Sequence, residues 1–340
     1  MTAMAPLRVA CLGAGYFSQF HYDAWARIKE VTLVGATDLD LDAAVATGLT
    51  AFDNLDRMIE QTKPDILDII LPPAGHAASI RTAIAAGIPT VICQKPFCLD
   101  LAEATQIAAE AQAAGVTVVV HENFRFMPWY RAIKAVIDAG GIGTILQATF
   151  RLRPGDGQGP RAYLDRQPYF HSMPQLLIHE TGVHWIDTFR YLFGDPVAVY
   201  ADLRRINPVL AGEDAGFVLL DHPSGVRALF DGNRLLDHAS DNQRRTMGEA
   251  LIEGTDGALT LLGDGSVTMR RFGHLDTRQV LAPDRWQGFG GDCVRALQAH
   301  VVCARLNGSE LENTCQDYLT VIRVRDGIYR STETGTKIRI

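Results

Sequence analysis

At 340 residues the chain exceeds one ordinary domain, so two domains are expected. Its 47% hydrophobic and 21% charged content fit a globular protein with a sizeable core, and a formal net charge of -7 argues against nucleic acid or an acidic membrane surface as partner. No basic stretch precedes the first apolar run and no run approaches a membrane-spanning length, so the expectation is a cytoplasmic protein without secretory signal or membrane span. The six cysteines (Cys11, Cys93, Cys98, Cys293, Cys303, Cys315) form no C-x-x-C pair. They read as small apolar residues in a reducing compartment, a reading preferred over a catalytic thiol at Cys93 or Cys98.

Residues 7–38 predict one strand-turn-helix-strand unit. The apolar run Leu7 to Leu12 has the length of a buried parallel strand, and Gly13-Ala14-Gly15-Tyr16-Phe17-Ser18 follows at once. A helix from Phe17 to about Lys29 leads into a second strand, Val31 to Thr37, which ends on Asp38. Such a unit suits a dinucleotide. Gly13 permits the tight turn, Gly15 lets backbone approach a pyrophosphate, and the helix N-terminus offers free N–H groups and a positive dipole end. Asp38, about twenty residues beyond Ser18, is placed for a ribose diol. A 2′-phosphate would face that carboxylate and Leu39 supplies no compensating arginine, so NAD is the expected cofactor. Ser18 replaces the third glycine of the motif and adds only a small side chain to the helix-strand contact.

Strand and helix keep alternating. An alanine-rich helix near 41–46, a helix near 54–61, the strand Ile66 to Leu71 closed by Pro72-Pro73, and a helix from about His76 to Ala86 come in turn. The strand Ile88 to Cys93, a helix Leu101 to Ala114 capped by Asp100, and the strand Val116 to His121 bring the named strands to five, within a doubly wound sheet expected to hold six by about residue 123. Ligands in such sheets bind beyond the carboxyl ends of the strands, which selects Gly13 to Ser18, Asp38, Leu71 to His76, Gln94 to Pro96 and His121 to Arg125. From about Gly143 the pattern changes to longer strands and hairpins: Thr144 to Arg153, Val197 to Ile206, Ala215 to Asp221 with Val226 to Asn233, and Ala258 to Leu262 with Val267 to Phe272. One strong helix, about Leu176 to Phe193, interrupts them. The expected fold class is therefore α/β plus α+β. An N-terminal Rossmann domain (1–124) precedes a C-terminal open, mostly antiparallel sheet domain (125–340), whose uncovered face predicts a homodimer or homotetramer.

Lys95, in Gln94-Lys95-Pro96, stands where the fifth strand leaves the sheet. A cation there stabilises the alkoxide that forms as hydride departs. His179-Glu180-Thr181-Gly182-Val183-His184 resembles a zinc H-E-x-x-H helix, but at about 100° per residue His179 and His184 lie roughly 140° apart. A zinc pair needs i, i+4 histidines on one face, so no metal is expected. Glu180 and His184 do have that relation, offset by about 40°, and make an acid-base pair in which the carboxylate orients the ring. Asp187, three residues on, is read as support for the helix or the histidine. His76 and Asn123 join the cofactor edge. Arg125, Trp129, Tyr163, Tyr169 and His171 fall in predicted loops near the domain junction and are candidates to line a pocket for a polyhydroxylated substrate.

Over nearly its full length the chain resembles the glucose-fructose oxidoreductase, inositol dehydrogenase and MocA (Gfo/Idh/MocA) family. The resemblance is carried by Val9 to Ser18, DIILPPAGH at 68–76, QKP at 94–96, NFRF at 123–126, GVHWIDTFRYLFG at 182–194 and IYRSTETG at 328–335. It implies hydride transfer between a nicotinamide cofactor and a sugar, polyol or related compound, with Lys95 the active-site lysine and His184 the acid-base residue. The family usually has Glu where this chain has Gln94, and often Asp where it has Glu180. VICQKPFC and HETGVHWIDTFRYLFG are similar to the subgroup acting on D-apiose. The leading expectation is thus an NAD-dependent dehydrogenase oxidising an aldose at the anomeric carbon to a lactone. His184 would take the hydroxyl proton, Lys95 would polarise the same oxygen, and Glu180 would orient His184 or bind a neighbouring hydroxyl. A cyclic-polyol dehydrogenase or keto-sugar reductase, and a non-catalytic NAD sensor, stay open at this stage.

Overall fold

The computed structural model describes residues 5–340. The chain forms two compact units, one of residues up to 123 with 292–319, the other of residues 124–291 with 320–340. The expected division at 124/125 therefore needs a correction: residues 292–319 return to the first unit.

The first unit runs β1 (Leu7–Leu12), α1 (Ser18–Ala26), β2 (Val31–Thr37), α2 (Leu41–Ala46), β3 (Ala51–Phe52), α3 (Leu55–Thr62), β4 (Ile66–Ile69), α4 (His76–Ala85), β5 (Thr90–Gln94), α5 (Leu101–Ala114) and β6 (Thr117–His121). Every pairing is parallel, in the order β3-β2-β1-β4-β5-β6. Crossover helices cover both faces of such a sheet, so its central strands are buried on both sides and, apart from Asp68 on β4, largely apolar rather than alternating. Val9, Ala10, Cys11, Ile66, Leu67, Ile69, Val91, Ile92 and Cys93 are accordingly inaccessible to solvent. Strand order reverses between β1 and β4, which places the ligand edge beyond Leu12, Ile69, Gln94 and His121. Asp100 Oδ1 accepts the Glu103 N–H at 2.9 Å and Glu103 Oε2 accepts the Leu99 N–H at 2.8 Å, closing the N-terminus of α5 reciprocally.

The second unit contains α6 (Pro128–Asp138), β7 (Ile145–Leu152), a π-helical turn (Leu177–Gly182), α7 (Val183–Phe193), β8 (Ala198–Arg204), β9 (Ala215–Asp221), β10 (Arg227–Asn233), β11 (Gly248–Gly254), β12 (Gly257–Leu261), β13 (Val267–Arg271) and β14 (Thr277–Leu281). Then come α8 (Cys293–Asn307), which belongs to the first unit, α9 (Cys315–Thr334), which starts in the first and ends in the second, and β15 (Ile338–Arg339) of the second. The sheet has nine strands in the order β14-β13-β12-β11-β7-β10-β9-β8-β15, and only β7 and β10 pair parallel. Its inner face packs on α7: the Trp185 ring stacks on Phe150 at 4.3 Å and lies 5.5 Å from Phe230. On the outer face Tyr200, Leu219, Leu229, Thr149 and Leu251 are direct cross-strand neighbours and form one continuous row. The row is lined on one side by Asp202, Phe217, Asp231, Arg151 and Glu249.

Candidate active site

In the first unit the glycine turn is fixed by backbone geometry. Gly13 has φ +112°, and a Cβ there would lie 2.4 Å from the Ile70 carbonyl oxygen, so no side chain is accommodated. A Cβ at Gly15 would meet nothing within 4 Å, leaving open the space a pyrophosphate needs. Ser18 is buried and its hydroxyl donates to the Gly15 carbonyl at 2.6 Å, so the residue in the third glycine position ties the turn to the start of α1. No side chain caps α1 and no acid occupies its first turn, which keeps the positive dipole end available to an anion. Asp38 Oδ2 accepts the Ala14 N–H at 2.6 Å and Oδ1 accepts the Asp40 N–H at 2.9 Å. The carboxylate thus joins the end of β2 to the glycine turn and stays partly exposed beside Leu39, which stands fully in solvent. Tyr16 is exposed, Phe17 half-buried, and Pro72 exposed at the head of the 71–76 turn. These residues fit NAD.

Other residues of the predicted cofactor edge are interior. His76 is inaccessible and its Nε2–H donates to the Leu71 carbonyl at 2.8 Å. Burial pushes its imidazole down to about 4, so it holds the turn as a neutral ring rather than reaching a ligand. Asn123 is buried, with Nδ2 on Cys293 Sγ at 3.1 Å. Gln94 is buried too and its amide serves protein groups, while Lys95 is half-buried. The six cysteines form no disulfide. Burial pushes the Cys11, Cys93 and Cys293 thiols well up, and those of Cys98 and Cys315 up to about 12, so none of these five is a thiolate nucleophile near neutrality.

In the second unit, the segment expected as one α-helix from Leu176 opens with a π turn, and the Val183 N–H reaches the Ile178 carbonyl. An i→i+5 closure carries roughly one residue more per turn than an α-helix, so the 140° separation of His179 and His184 does not apply here. Among the described residues no group of three or more His, Cys, Asp or Glu side chains is placed to hold a metal ion.

The π turn is clamped from outside. Glu213 accepts the Leu176 and Ile178 N–H groups on its carboxylate at 3.2 and 3.1 Å and the Leu177 N–H on its carbonyl at 3.0 Å. Tyr329 donates its hydroxyl to Glu213 Oε1 at 2.7 Å and accepts the His179 N–H at 3.1 Å. Burial first and then the Glu213 charge push the Tyr329 phenol far up, so it stays a donor. No local pattern links positions 176–179, 213 and 329, and the sequence reading named neither Glu213 nor the tyrosine's role.

His184 sits in the first turn of α7 with 7% exposure, its ring stacked on Phe124 at 3.8 Å and 3°. Arg125, next to that phenylalanine, grips Asp187 on α7 with two hydrogen bonds of 2.8 and 2.6 Å. The predicted substrate role of Arg125 gives way to this clasp, because its guanidinium is buried against Asp187. Trp129 also needs correction. It lies in the first turn of α6 rather than a loop and is inaccessible, its ring 6.4 Å from those of Tyr130 and Trp286.

The loop before the π turn is organised by Arg234. This buried guanidinium donates to Thr181 Oγ1 at 2.6 Å, Tyr163 Oη at 2.7 Å and Asp156 Oδ2 at 2.9 Å, and Arg166 adds a second cation on Asp156 at 3.0 Å. Burial opposes ionisation of Asp156, yet the two arginines hold its carboxyl below the ordinary range. Tyr163 is thereby a buried strut, and His171 donates its Nε2–H to the Ala162 carbonyl at 2.6 Å, closing the same loop. Tyr169 alone of the five predicted substrate residues is exposed, at 53%. Partial burial and then the Glu180 charge push its phenol up to about 12, which sets it in the electrostatic neighbourhood of Glu180.

A dinucleotide turn on a doubly wound sheet and a histidine-bearing helix on an open sheet define a nicotinamide-dependent oxidoreductase. The family model for "Oxidoreductase family, NAD-binding Rossmann fold" matches residues 7–122 and that for the "GFO/IDH/MocA C-terminal domain" matches 130–260, so the chain belongs to the Gfo/Idh/MocA family of NAD-binding oxidoreductases. It is 29% identical to a D-apiose dehydrogenase of Paraburkholderia graminis over 100% of this chain and 91% of that one. It is 27% identical to a D-apiose dehydrogenase of Rhizobium rhizogenes over 99% and 98%. A crystal structure of an oxidoreductase from Agrobacterium radiobacter with NAD+, L-tartaric acid and magnesium superposes with a TM-score of 0.88 at 24% identity, over 98% of both chains. No helix among the described residues is long and apolar enough to cross a membrane.

Proposed function

We propose that this chain oxidises an aldose at the anomeric carbon to a lactone with NAD, and that D-apiose is the sugar. The observation that carries the chemistry is the seat of His184, a nearly buried imidazole stacked on Phe124 at the head of α7. The sugar rests on similarity over the full chain to two D-apiose dehydrogenases. In this reading His184 takes the proton of the anomeric hydroxyl and the Lys95 ammonium polarises the same oxygen as negative charge grows on it. Glu180 orients the imidazole or binds a neighbouring hydroxyl, and Tyr169 offers its exposed ring to the sugar. Gly13, Gly15, Ser18 and Asp38 hold NAD, which supplies the hydride acceptor when bound. Asp38 disfavours a 2′-phosphate by like charge.

Reduced-nicotinamide absorbance is the direct test, with NAD and separately NADP offered to a panel of aldoses and polyols that includes D-apiose. The expected outcome is NAD reduction with D-apiose, at least about tenfold faster than with NADP, and a product that hydrolyses to a sugar acid. Preference for NADP, or a ketose product from a cyclic polyol, overturns the assignment.

The outer sheet face is proposed to pair with a second copy of the chain as a dimer or tetramer. Tyr200 and Leu251, 42% and 38% exposed, end its continuous and largely apolar row, and Phe217 flanks the row at 44% exposure, a surface of the kind that pairs between subunits. Light scattering is expected to give a multiple of the 37.2 kDa chain mass, and Leu251→Asp to lower it. A monomeric wild type removes the proposal.

A further inference from the structure

Behind the ligand edge of the first unit lies a buried polar chain that the reaction scheme above leaves unexplained. Asp68 on β4 accepts two hydrogen bonds on Oδ2, from His21 Nδ1 at 2.8 Å and Trp25 Nε1 at 2.7 Å. His21, on α1, places its Nε2 at 2.8 Å from Gln94 Nε2, and Gln94 Oε1 lies 3.0 Å from the Lys95 backbone nitrogen. Gln94 Nε2 also approaches His121 Nδ1 on β6 at 3.4 Å, and the ring centroids of His21 and His121 lie 4.1 Å apart with their planes tilted by 34°. His21 and Asp68 are inaccessible, and Gln94 and His121 nearly so.

Hydrogen-bond polarity assigns the donors and acceptors between Lys95, Gln94 and His21. A backbone N–H only donates, so the atom facing Lys95 is the amide oxygen and cannot be flipped. The amide nitrogen therefore faces His21 Nε2, which must accept, and the single ring proton of His21 must lie on Nδ1 toward Asp68. The second amide proton points to His121 Nδ1, which accepts as well.

We infer that Gln94 is a positioning residue: through an amide that does not ionise it ties the Lys95 backbone to one neutral tautomer of His21 and so to α1 and β4. The link between Lys95 and His21 therefore contains no carboxylate at position 94. Titratable and charged groups face this chain from each neighbouring element. They are Cys11 from β1, Tyr22 from α1, Asp68 from β4, Cys93 from β5 and His121 from β6. Burial, with Asp68 as a further cause, pushes the Cys11, Cys93 and Tyr22 protons up, so these groups carry no charge near neutrality.

Gln94→Glu tests the inference with nearly the same shape. One carboxylate oxygen still accepts the Lys95 N–H, but the other then faces a lone pair on His21 Nε2, and the contact becomes favourable only if that nitrogen gains a proton. The variant binds this proton folded and releases it unfolded once the pH passes the free imidazole range, about 6.5. Folded protein then holds more protons than unfolded, so stability is lost as pH rises. Nitrogen-15 spectra of histidine-labelled, cofactor-free protein are expected to show His21 protonated on Nδ1 alone in the wild type and on both nitrogens in Gln94→Glu near pH 7. The melting-temperature gap between the two proteins should widen between about pH 6 and 8. A wild-type His21 protonated on Nε2, or a pH-independent gap, overturns the inference.

If Gln94→Glu does not fold, Gln94→Met gives the second readout. It removes all three amide contacts without adding an ionisable group, so kcat should fall about tenfold with Kd for NAD and KM for the sugar within about threefold, because a lost hydrogen bond to a buried group acts on position rather than on ligand contact. Unchanged kcat overturns the positioning role. That role rests on the proposed function of Lys95, but the spectra and the melting curves do not. Failure of the lysine assignment is therefore distinguishable from failure of the tautomer.

Discussion

Lys95→Ala is expected to slow sugar oxidation by about 10³-fold while NAD affinity stays within a few-fold, because removing one charge-stabilising donor from a developing oxyanion costs on the order of 10²–10³ in rate. The expectation follows from where the residue lies. It is half-buried just beyond β5 and its backbone N–H is held by Gln94, so in the proposed mechanism the strand end positions the side chain and the ammonium supplies the charge. Fluorescence titration with NAD and steady-state oxidation of D-apiose separate binding from chemistry. Lys95→Met keeps the length of the stem and should be nearly as slow as alanine, since charge and not packing is the lost property. His184→Ala is expected to fall within the 10²–10⁴-fold range of a lost general base, about the same size, and under the proposed mechanism, in which both groups serve one oxygen, the double variant should be far less than multiplicative. Near-normal turnover in either single variant overturns its assigned role.

What the sequence carries well is local. The run from Leu7 to Asp38 contains its own strand periodicity, glycine turn and acidic terminus, so both the sheet and the NAD turn were legible there without any distant partner. The structure adds what spacing cannot show, namely that Ser18 closes the turn through its own hydroxyl. Distant contacts were not legible. Helix α8 joins the first unit through Arg27, which binds Asp292 with two hydrogen bonds across 265 positions, and through Asn123 on Cys293, and neither pair leaves a periodic trace. β3 is two residues long and β11 lies between β7 and β12, so one fell below the length of a detectable strand and the other was defined by its neighbours. The π turn at 177–182 depends on Glu213 and Tyr329 far along the chain, which is why an α-helical wheel misplaced His179 relative to His184. Trp129, Arg125 and Tyr163 carried the residue types of a sugar pocket but are consumed by the core and by buried ion pairs.

The consumed arginine leads to the largest stability effect. Asp187 is inaccessible, holds the Arg125 guanidinium with two bonds, and lies 3.8 Å from Arg190, which has Asp195 as a second partner at 2.7 Å. Asp187→Ala leaves Arg125 buried without its bidentate partner, and breaking one side of a buried pair costs about 3–5 kcal/mol. For a domain of this size that is a fall of roughly 6–20 °C in melting temperature. Solvent cannot rescue the cation, since its side chain is only 8% exposed. Because Phe124 precedes Arg125 and stacks on His184, the same variant should also lose activity at temperatures where it is still folded. A double replacement, Arg125→Met with Asp187→Leu, separates the two effects, since an apolar pair of similar volume removes both buried charges and is often neutral for stability. The double variant is expected to recover most of the melting temperature, and kcat with it, if the Phe124–His184 stack is held by packing around α7. Calorimetry and steady-state kinetics on the three proteins decide this, and a loss below about 1 kcal/mol in Asp187→Ala would mean that the pair is no more than a surface contact.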